Sequence, residues 1–443
     1  MTRIEGVRSE ATVLVSVILP DRSGYKNPLE ELEGLAQTVG ARVVGRLTQR
    51  REMPDKATYV GKGKLDELGQ LVVASDADVV IFDNDLAPGQ TRNLEQALDV
   101  KVLDRTELIL DIFANRAQTH EARLAVELAQ LEYSLPRLKR MWTHLERIEG
   151  GIGMRGPGEK QIEVDRRLVE RRIRDLKRDL AAIQRRKERT VAARRDFKTV
   201  SLVGYTNAGK STLMNALTDA EVLVQDKLFA TLDTRTRRWQ LPGWGPVLLS
   251  DTVGFIRSLP HTLIASFKAT LEESRQANLL LHVADASNVE ALDQISSVYS
   301  VLEEIGIEEK DTLLVLNKID QVEHRGRVDG IMTRFPNAIP ISAKSRQGLS
   351  QLGHAVSEAL SRFFLDVDIE TSPGNGRLLA YLARHGEILS QTYHDNDGRV
   401  TVHCRIPKAY LEKINENGTI VRPHGIHQKT ESEPSDTIVD GAA

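Results

Sequence analysis

The stretch Gly204-Tyr205-Thr206-Asn207-Ala208-Gly209-Lys210-Ser211 has the pattern G-x-x-x-x-G-K-S of a phosphate-binding P-loop. A strand-like run, Thr199–Leu202, precedes it, and a helical stretch begins at Thr212. In this context, backbone N–H groups surround phosphates at the positive end of a helix dipole. Lys210 is then expected to neutralise the β and γ phosphates, and the Ser211 hydroxyl to bind Mg²⁺. The sequence therefore predicts a P-loop nucleotide-binding domain.

A second motif follows a strand-like run at Val247–Ser250 and reads Asp251-Thr252-Val253-Gly254. Asp251 is predicted to hold Mg²⁺ through water, and the Gly254 N–H to meet the γ-phosphate. These roles make Lys210 and Gly254 candidates for the catalytic set.

Two further motifs predict the base. The run Leu313–Leu316 ends in Asn317-Lys318-Ile319-Asp320, and Ile341-Ser342-Ala343-Lys344 comes later. The Asp320 carboxylate can accept two hydrogen bonds, from the N1–H and the exocyclic amine of guanine, and the later loop offers N–H groups to guanine O6. Adenine has no such donor pair, so the sequence predicts GTP with Mg²⁺.

The segment Asp226–Thr234 lies between the P-loop and Asp251. A threonine here is expected to give its hydroxyl to Mg²⁺ and its N–H to the γ-phosphate, and to release when that phosphate is lost. Thr231 and Thr234 both fit this role on chemistry alone.

The first third of the chain alternates strand-like and helical runs. The strands are predicted at Ala11–Leu19, Val43–Leu47, Val79–Phe82 and Lys101–Leu103, and the helices at Leu29–Val39, Leu65–Val73 and Gln90–Leu98. This alternation predicts an α/β domain with a mostly parallel sheet. Gly61-Lys62-Gly63-Lys64 is expected to be an exposed loop, with a second phosphate site as the alternative.

A helical pattern from Glu107 to Leu135 and a second one after a glycine-rich loop predict an arm. Leu124, Leu128, Leu131 and Leu135 form one apolar seam, and Ile162, Val169, Ile173, Leu176, Leu180 and Ile183 form the other. We expect an antiparallel coiled coil with the loop at or near its tip. Residues 137 to 198 carry 20 Lys or Arg and 10 Asp or Glu, a net charge of +10. A solvated helix face would explain this charge, but a contact with the phosphates of structured RNA explains it better.

Length and composition bound the remaining possibilities. The 443 residues exceed one ordinary core of about 150 residues. The single Cys404 excludes an internal disulfide and favours the cytoplasm, and no apolar run is long enough for a membrane span. The first apolar run is interpreted as a strand and not as a signal peptide. The overall charge of −3 hides the arm, because the rest of the chain sums to −13.

The end of the chain is predicted to be a small α+β module. Gly374–Arg384 and Ala409–Ile414 are expected to be helical, and Glu387–Tyr393 and Arg399–Arg405 to form a hairpin. The expected domains are 1–115 (α/β), 116–196 (helical arm), 197–365 (P-loop GTPase) and 366–423 (α+β), with a disordered tail at 424–443.

The wider pattern resembles the HflX family of translation-factor-related GTPases. Gly204–Thr212, Phe229–Asp233, Asp251–Phe255 and Gly156–Gln161 carry this resemblance, together with Asp104-Arg105-Thr106 and Tyr59–Leu68. It extends over about Val13 to Phe364. It implies a GTPase that binds the large ribosomal subunit and its rRNA, and splits or recycles 70S ribosomes that stall after stress. It also implies hydrolysis stimulated by the ribosome and favours Thr231 over Thr234.

The candidate residues fall into four groups: GTP contacts, Mg²⁺ residues, catalytic residues and RNA contacts. The expected GTP contacts are Gly204, Tyr205, Thr206, Asn207, Ala208, Gly209, Lys210, Ser211, Thr212, Phe229, Ala230, Thr231, Leu232, Asp233, Asp251, Thr252, Val253, Gly254, Asn317, Lys318, Asp320, Ser342, Ala343 and Lys344. Ser211, Thr231 and Asp251 are the expected Mg²⁺ residues, and Lys210, Thr231 and Gly254 the catalytic ones. The expected RNA contacts are Arg155, Gly156, Lys160, Arg166, Arg167, Arg171 and Arg172.

One catalytic group is absent from its usual place. Many GTPases carry a glutamine after the Asp-x-x-Gly motif that orients the attacking water, whereas this chain has Phe255. We therefore expect slow intrinsic turnover and a stimulating partner. Asn207 is a candidate for holding K⁺ near the phosphates, with a loop-capping hydrogen bond as the equal alternative. His261 is a weak candidate for a base, and no Cys/His grouping has the spacing of a metal site.

Two other functions remain open at this point. The chain could be an assembly GTPase that binds immature large subunits, or a GTP switch that regulates a protein or protease complex. Under every alternative we expect a monomer with no DNA partner and no integral membrane association.

Overall fold

The computed structural model describes residues 10–20, 27–141, 157–193, 198–218, 229, 234–242, 244–257, 274–304, 306–307, 312–361, 364–394, 398–407, 411, 414 and 419–424. The chain forms two compact units, residues 1–354 and 355–443. No helix among the described residues is long and apolar enough to cross a membrane.

The N-terminal sheet has four parallel strands, as the sequence predicts. They are β1 (Ala11–Ile18), β2 (Arg42–Arg50), β3 (Val79–Phe82) and β4 (Lys101–Asp104), in the order β2-β1-β3-β4. Helices α1 (Glu30–Val39), α2 (Lys62–Ser75) and α3 (Pro88–Leu98) connect them. The central strands β1 and β3 are almost wholly buried because apolar residues cover both faces of the sheet.

The prediction that Gly61-Lys62-Gly63-Lys64 forms a loop is wrong for the last three of these residues. Helix α2 begins at Lys62, and Gly61 is its N-cap in an extended conformation. Lys64 Nζ bonds Glu67 Oε1 at 2.9 Å, one turn further along the helix. The two lysines therefore lie on a helix surface and not in a phosphate-binding loop.

The helical pattern from Glu107 to Leu135 divides into two helices, α4 (Arg105–Arg116) and α5 (His120–Met141). Asp104 caps α4 by accepting from Glu107 N at 2.9 Å, and Thr119 Oγ1 accepts from Ala122 N at 3.2 Å. Helix α5 also continues past Pro136, which lacks a backbone donor. The Arg137 side chain donates to Tyr133 O at 3.0 Å in that disturbed turn.

The second arm helix is α6 (Pro157–Ala193), and it packs on α5 through the predicted seam. The seam consists of Leu124, Leu128, Leu131 and Leu135 of α5 with Val169, Ile173, Leu176, Leu180 and Ile183 of α6. The side chain of Ile162 and the glycine-rich loop before Pro157 lie outside the described residues.

Two ion pairs cross the seam, one on each of its flanks. Glu127 Oε1 pairs with Arg172 Nε at 2.7 Å, and Glu132 Oε1 pairs with Lys177 Nζ at 2.8 Å. Relative to the seam, Glu127 and Arg172 occupy the same heptad position (g), and Glu132 and Lys177 occupy the same position (e). Like positions of this kind face each other when two helices run in opposite directions, so the ion pairs agree with the expected antiparallel coiled coil.

The P-loop domain contains a six-stranded sheet. Its strands are β5 (Thr199–Gly204), β6 (Arg235–Leu241), β7 (Gly245–Asp251), β8 (Leu279–Asp285), β9 (Thr312–Asn317) and β10 (Ile339–Pro340), in the order β10-β9-β8-β5-β7-β6. Only the pairing of β6 with β7 is antiparallel among these described strands. Helices α7 (Lys210–Thr218), α8 (Ala291–Glu304), α9 (Arg325–Arg334) and α10 (Leu349–Ser361) and a 3-10 turn (Ile319–Gln321) complete this part. Strands β6 and β7 form a hairpin in which Trp239 is buried.

The C-terminal sheet is antiparallel, with the order β12-β13-β11-β14. Its elements are β11 (Phe364–Thr371), α11 (Gly376–His385), β12 (Glu387–His394), β13 (Arg399–Pro407) and β14 (Ile420–Pro423). The sequence predicts α11, β12 and β13 but misses the central strand β11 and the edge strand β14.

The predicted tail begins one residue too early. His424 N donates to Asp366 O at 2.9 Å, so His424 continues the pairing of β14 with β11. Residues 425–443 lie outside the described part of the chain, as does most of the helix expected at Ala409–Ile414.

Candidate functional site

The P-loop follows β5 and adopts a backbone that only certain residues permit. Gly204 has φ +144°, and a Cβ there would lie 2.1 Å from Val283 O, so only glycine fits. Asn207 (φ 60°) and Gly209 (φ 90°) then turn the chain into α7. The first N–H groups of a helix have no partner within it. The loop and the start of α7 therefore provide backbone donors for phosphate.

Lys210 is buried at the start of α7 and donates to two loop carbonyls. Its Nζ lies 3.0 Å from Gly204 O and 2.9 Å from Tyr205 O. Burial lowers the pKa of Lys210 from 10.5 to about 8, against the opposing effect of Asp251. Beside anionic phosphates the ammonium would be favoured again, since an opposite charge at short range stabilises the protonated form.

The residues predicted for Mg²⁺ meet between β5 and β7. Ser211 Oγ donates to Asp251 Oδ2 at 2.6 Å, and Asp251 is buried at the end of β7. Hydroxyl and carboxylate oxygens are ligands that Mg²⁺ prefers. In the same loop, the buried Thr206 hydroxyl has no hydrogen-bond partner among the described residues. This donor set fits a magnesium nucleotide.

The two motifs predicted for guanine lie at the ends of the neighbouring strands β9 and β10. Asn317 Nδ2 donates to Ala208 O at 2.9 Å, and Ala343 N donates to Asn317 Oδ1 at 2.9 Å. Asn317 thus joins the P-loop to the loop after β10. Lys318 Nζ pairs with Asp285 Oδ2 at 2.8 Å, whereas Asp320 is exposed in the 3-10 turn. The Asp320 carboxylate is therefore accessible to a base.

The side chain of Phe255, at the sequence position of the water-orienting glutamine, lies in the apolar interior. Its ring is buried with Val203, Tyr205, Leu280, Val298 and Leu302. Its backbone bonds the P-loop, with Thr206 N donating to Phe255 O at 2.7 Å and Phe255 N donating to Gly204 O at 3.1 Å.

Gly254 packs directly against the P-loop. A Cβ on Gly254 would lie 2.7 Å from Thr206 Cγ2 and 3.1 Å from Lys210 Nζ. This close approach places the Gly254 backbone beside Lys210, where the sequence predicts the γ-phosphate.

A buried ionic cluster joins the N-terminal domain to the P-loop domain. Glu31 of α1 accepts from the Tyr205 hydroxyl, from Arg105, and from Arg257 Nε at 2.9 Å. Arg257 N also donates to the Tyr205 hydroxyl at 2.7 Å. Arg105 Nη1 pairs with Asp83 Oδ1 at 2.6 Å. We refer to Glu31, Asp83, Arg105, Tyr205 and Arg257 as the Glu31 cluster.

The charges of the Glu31 cluster are mutually stabilised. Burial alone would raise the pKa of Glu31, but Arg105 and Arg257, with the Tyr205 hydroxyl, hold it below its ordinary value. Because Tyr205 belongs to the P-loop and Arg257 follows the Asp-x-x-Gly motif, one carboxylate contacts both nucleotide-binding segments.

Apolar contacts reinforce this junction. Phe229, Val253 and Ile256 are buried in the same cluster as Leu32, Leu108 and other residues of the N-terminal domain. The rings of Phe229 and Phe113 meet edge to face, with centroids 4.5 Å apart. We refer to Asp226–Thr234 and to the segment from Asp251 to Arg257 as the two switch regions. Their described residues Phe229, Val253 and Ile256 are therefore part of the N-terminal core.

The sequence did not indicate the roles of Glu31, Asp83 and Arg257. Asp104-Arg105-Thr106 supported only a resemblance, although an arginine directly after a buried strand is an unusual residue to bury. That burial calls for partners, and Glu31 and Asp83 provide them.

The structure brings together most of the predicted nucleotide residues. Gly204–Thr212, Asp251–Gly254, Asn317, Lys318, Asp320 and Ser342–Lys344 follow strands β5, β7, β9 and β10 at their carboxyl ends, where open α/β sheets bind ligands. Ala230, Thr231, Leu232, Asp233, His261, Arg155 and Gly156 lie outside the described residues, as does the side chain of Lys160.

Comparison with known proteins gives the family. Residues 26–114 match the model described as GTP-binding GTPase N-terminal, 116–194 match GTP-binding GTPase Middle Region, and 199–318 match 50S ribosome-binding GTPase. The GTPase HflX of Escherichia coli strain K12 is 45% identical over 401 residues, covering 90% of this chain and 94% of that protein. This chain belongs to the HflX family of GTPases. It is an enzyme that hydrolyses GTP to GDP and phosphate.

Other HflX relatives show similar identity. The GTPase HflX of Magnetococcus marinus is 46% identical over 91% of this chain and 94% of its own length. That of Flavobacterium psychrophilum is 48% identical over 73% of this chain and 79% of its own length. A solved complex of SsGBP with GDP is 25% identical with a TM-score of 0.47, covering 80% of this chain and 99% of that chain, a likeness too low to carry an argument.

Glu31→Gln should destabilise the first unit strongly. The change leaves Arg105 and Arg257 buried with less compensation, and breaking a buried ion pair costs about 3–5 kcal/mol. The matched control is Glu33→Gln on the same helix, which removes an exposed pair with Arg46 and should change little. Equilibrium unfolding in urea, followed by circular dichroism, measures both. Equal stability of the two variants would contradict the role of Glu31.

The difference in unfolding free energy between the wild type and Glu31→Gln should depend on pH. Because the pKa of Glu31 is lowered in the folded state, its stabilisation is fully present above its unfolded pKa of about 4.3. The advantage of the wild type over Glu31→Gln should then disappear as pH falls through the folded pKa.

Asp320→Asn should exchange guanine for xanthine specificity. The amide cannot accept from both guanine donors, but its N–H can donate to the C2 oxygen of xanthine. We expect GTP affinity to fall at least about 100-fold, since each charge-assisted hydrogen bond contributes about 1.5–3 kcal/mol, and XTP binding to appear. Titration with fluorescent nucleotides measures this, with Asp329→Asn on α9 as the exposed control. Unchanged GTP binding would refute the assignment.

Proposed function

We propose that this GTPase binds the large ribosomal subunit and splits or recycles stalled 70S ribosomes, with GTP hydrolysis stimulated by the ribosome. The observation that carries the proposal is a strongly basic helical arm packed onto the same core as the switch-region residues. The match of residues 199–318 to the 50S ribosome-binding GTPase model supports the ribosome as the partner. The protein would act in the cytoplasm as a monomer.

The RNA-binding surface would lie on α6. Arg167 and Arg171 are exposed on this helix. Arg166 pairs with Glu170 at 2.8 Å, and Arg172 pairs with Glu127 across the seam. Exposed arginines can bind phosphate oxygens in two-point contacts without opening the coiled coil. Arg167 and Arg171 are therefore the first of the predicted RNA contacts to test.

The nucleotide residues would take the roles that their positions favour. Lys210 and the loop N–H groups would bind phosphate oxygens, and Ser211 and Asp251 would hold Mg²⁺, which supplies charge neutralisation at the phosphates. Thr231 would complete the Mg²⁺ residues, and Gly254 would place its N–H at the γ-phosphate. Asp320, with the loop Ser342-Ala343-Lys344, would select guanine.

The structure provides a physical route from RNA binding to hydrolysis. Helix α5 contributes Ala122, Ala125 and Val126 to the cluster that also contains Phe229 and Val253. A force or rotation on the arm therefore acts on a densely packed core that includes Phe229 and Val253, a described residue from each of the two switch regions. Because buried Phe255 leaves no water-orienting side chain at its position, activation would require the partner to order the switch. Groups of this kind contribute about 10³–10⁵ in rate.

Charge reversal of the arm tests the proposed function. Arg167→Glu with Arg171→Glu should abolish stimulation of GTP turnover by large subunits, while turnover without subunits stays unchanged. Turnover assays and sedimentation of intact ribosomes measure the two effects. Arg42→Glu with Arg50→Glu, which changes the same charge on the exposed edge strand β2, is the control.

Each outcome of this experiment has a distinct meaning. Stimulation with a shift from 70S particles to separated subunits supports splitting. Stimulation without that shift favours an assembly role. No stimulation of the wild type, or full activity of the reversed arm, excludes an RNA-dependent function and favours a switch that acts on a protein complex.

Potassium should accelerate hydrolysis if Asn207 holds the ion. The side chain of Asn207 is exposed, and no hydrogen bond to another described residue caps the loop through it. We therefore expect faster turnover in K⁺ than in Na⁺ with large subunits present, and loss of this difference in Asn207→Ala. Equal rates in both salts would contradict the assignment.

A further inference from the structure

The C-terminal sheet carries a cluster of histidines and aspartates that GTP hydrolysis does not use. Strand β11 lies between β13 and β14, and Asp366, Asp368 and Glu370 alternate along it. Residues two apart on a strand share a face, so the three carboxylates project from one side. The opposite side, with Val367 and Ile369, is buried in the apolar core.

Two imidazoles reach this face from the flanking strands. His403 of β13 pairs in register with Asp368 but bonds Asp366, with Nε2 2.7 Å from Oδ1. His424, directly after β14, has Nδ1 at 2.9 Å and 3.0 Å from the two Asp368 oxygens. The rings stack with centroids 3.5 Å apart and an interplanar angle of 12°. Four side chains from three strands therefore converge over β11.

The neighbouring carboxylate has a different environment. Glu370 pairs with Arg422 at 2.9 Å and lies 3.8 Å from Arg399. Asp366 has Arg405 only at 4.0 Å, and imidazole nitrogens are its close partners and those of Asp368. Guanidinium groups thus neutralise the carboxylate at one end of this face, and imidazoles contact the two carboxylates at the other end.

The geometry of this group suits a bound cation. Imidazole nitrogens and carboxylate oxygens lie within 3.0 Å of each other over β11. A divalent transition-metal ion binds both of these ligand types together.

We propose that Asp368, His403 and His424, with Asp366, bind a divalent transition-metal ion of the Zn²⁺ type. The ligand atoms of the first three residues already lie within 4.8 Å of one another. Two nitrogens and two oxygens match the ligand types and number of tetrahedral zinc sites. The buried Cys404 lies on the opposite face of β13 and takes no part.

A bound ion would stabilise the sheet, because its ligands come from β11 and from the two strands that flank it. His424 is the last described residue of the C-terminal sheet, and it follows β14, which pairs with β11 at the edge of the sheet that the structure describes. An ion bound to His403 and His424 would cross-link β13, β11 and β14 and fix the edge strand.

Cobalt titration of the full-length, nucleotide-free protein in Mg²⁺-free buffer tests this site. We expect one equivalent of Co²⁺ to give the intense visible absorption of a tetrahedral complex, and Zn²⁺ to displace it. His403→Gln with His424→Gln, and separately Asp368→Asn, should weaken Co²⁺ binding at least about tenfold. His394→Gln, which removes an exposed imidazole bonded to Thr401 in the same sheet, should bind as the wild type does.

A second measurement separates loss of binding from loss of folding. Zn²⁺ should raise the thermal unfolding temperature of the wild type and of His394→Gln but not of the double histidine variant. Without added metal, all variants should have the circular dichroism spectrum of the wild type, which shows that the C-terminal sheet is folded, and the same GTP turnover without ribosomes. Unchanged Co²⁺ binding in the double variant, or no one-equivalent binding by the wild type at 100 µM Co²⁺ (roughly the weakest affinity of interest), would overturn the proposal.

Discussion

The arrangement of the first unit depends on the ionic contacts of one buried carboxylate, that of Glu31. A charge of this kind is costly to remove from water, and the cost is offset only when several partners surround it. Arg105, Arg257 and the Tyr205 hydroxyl provide those partners. Two of them belong to the nucleotide-binding segments, so the position of an N-terminal helix and the geometry of the GTPase site are not independent quantities.

The apolar packing around Glu31 explains why the arm, the N-terminal sheet and the P-loop domain fall within one compact unit. A single cluster contains residues of β1, α1, α4 and α5 together with Phe229, Val253 and Ile256. Such interiors are packed as densely as crystals and transmit strain instead of absorbing it. Any displacement of Phe229, Val253 or Ile256 would therefore have to be accommodated by the N-terminal domain as well.

Much of the nucleotide site could be predicted because its determinants are local in sequence. Lys210 and Ser211 are specified by spacing within one loop, and Asp320 lies three residues after Asn317. The Glu31 cluster could not be predicted, since Glu31 and Arg257 are 226 positions apart and either residue alone looks like an ordinary surface charge. The pairing of His403 with His424 across β11 was hidden for the same reason.

The ion pairs of the arm show a different limit. A seam with spacings of four and three reads the same from either end, so Leu124 to Leu135 predict that α5 pairs with α6 but not which residues meet across the seam. The contacts of Glu127 with Arg172 and of Glu132 with Lys177 supply that register. Strand β11 was missed although Val367 and Ile369 alternate with acidic residues, because the expected domain boundary passed through it.

The burial of Phe229, Val253 and Ile256 has a consequence for dissecting the enzyme into fragments. Cutting the chain before β5 would expose these side chains to water and leave Tyr205 and Arg257 without Glu31. Exposed apolar surface of this kind promotes aggregation. Kinetic constants measured on an isolated P-loop domain would then belong to a protein whose nucleotide-binding segments lack their packing partners. A soluble fragment would need polar replacements at these apolar positions.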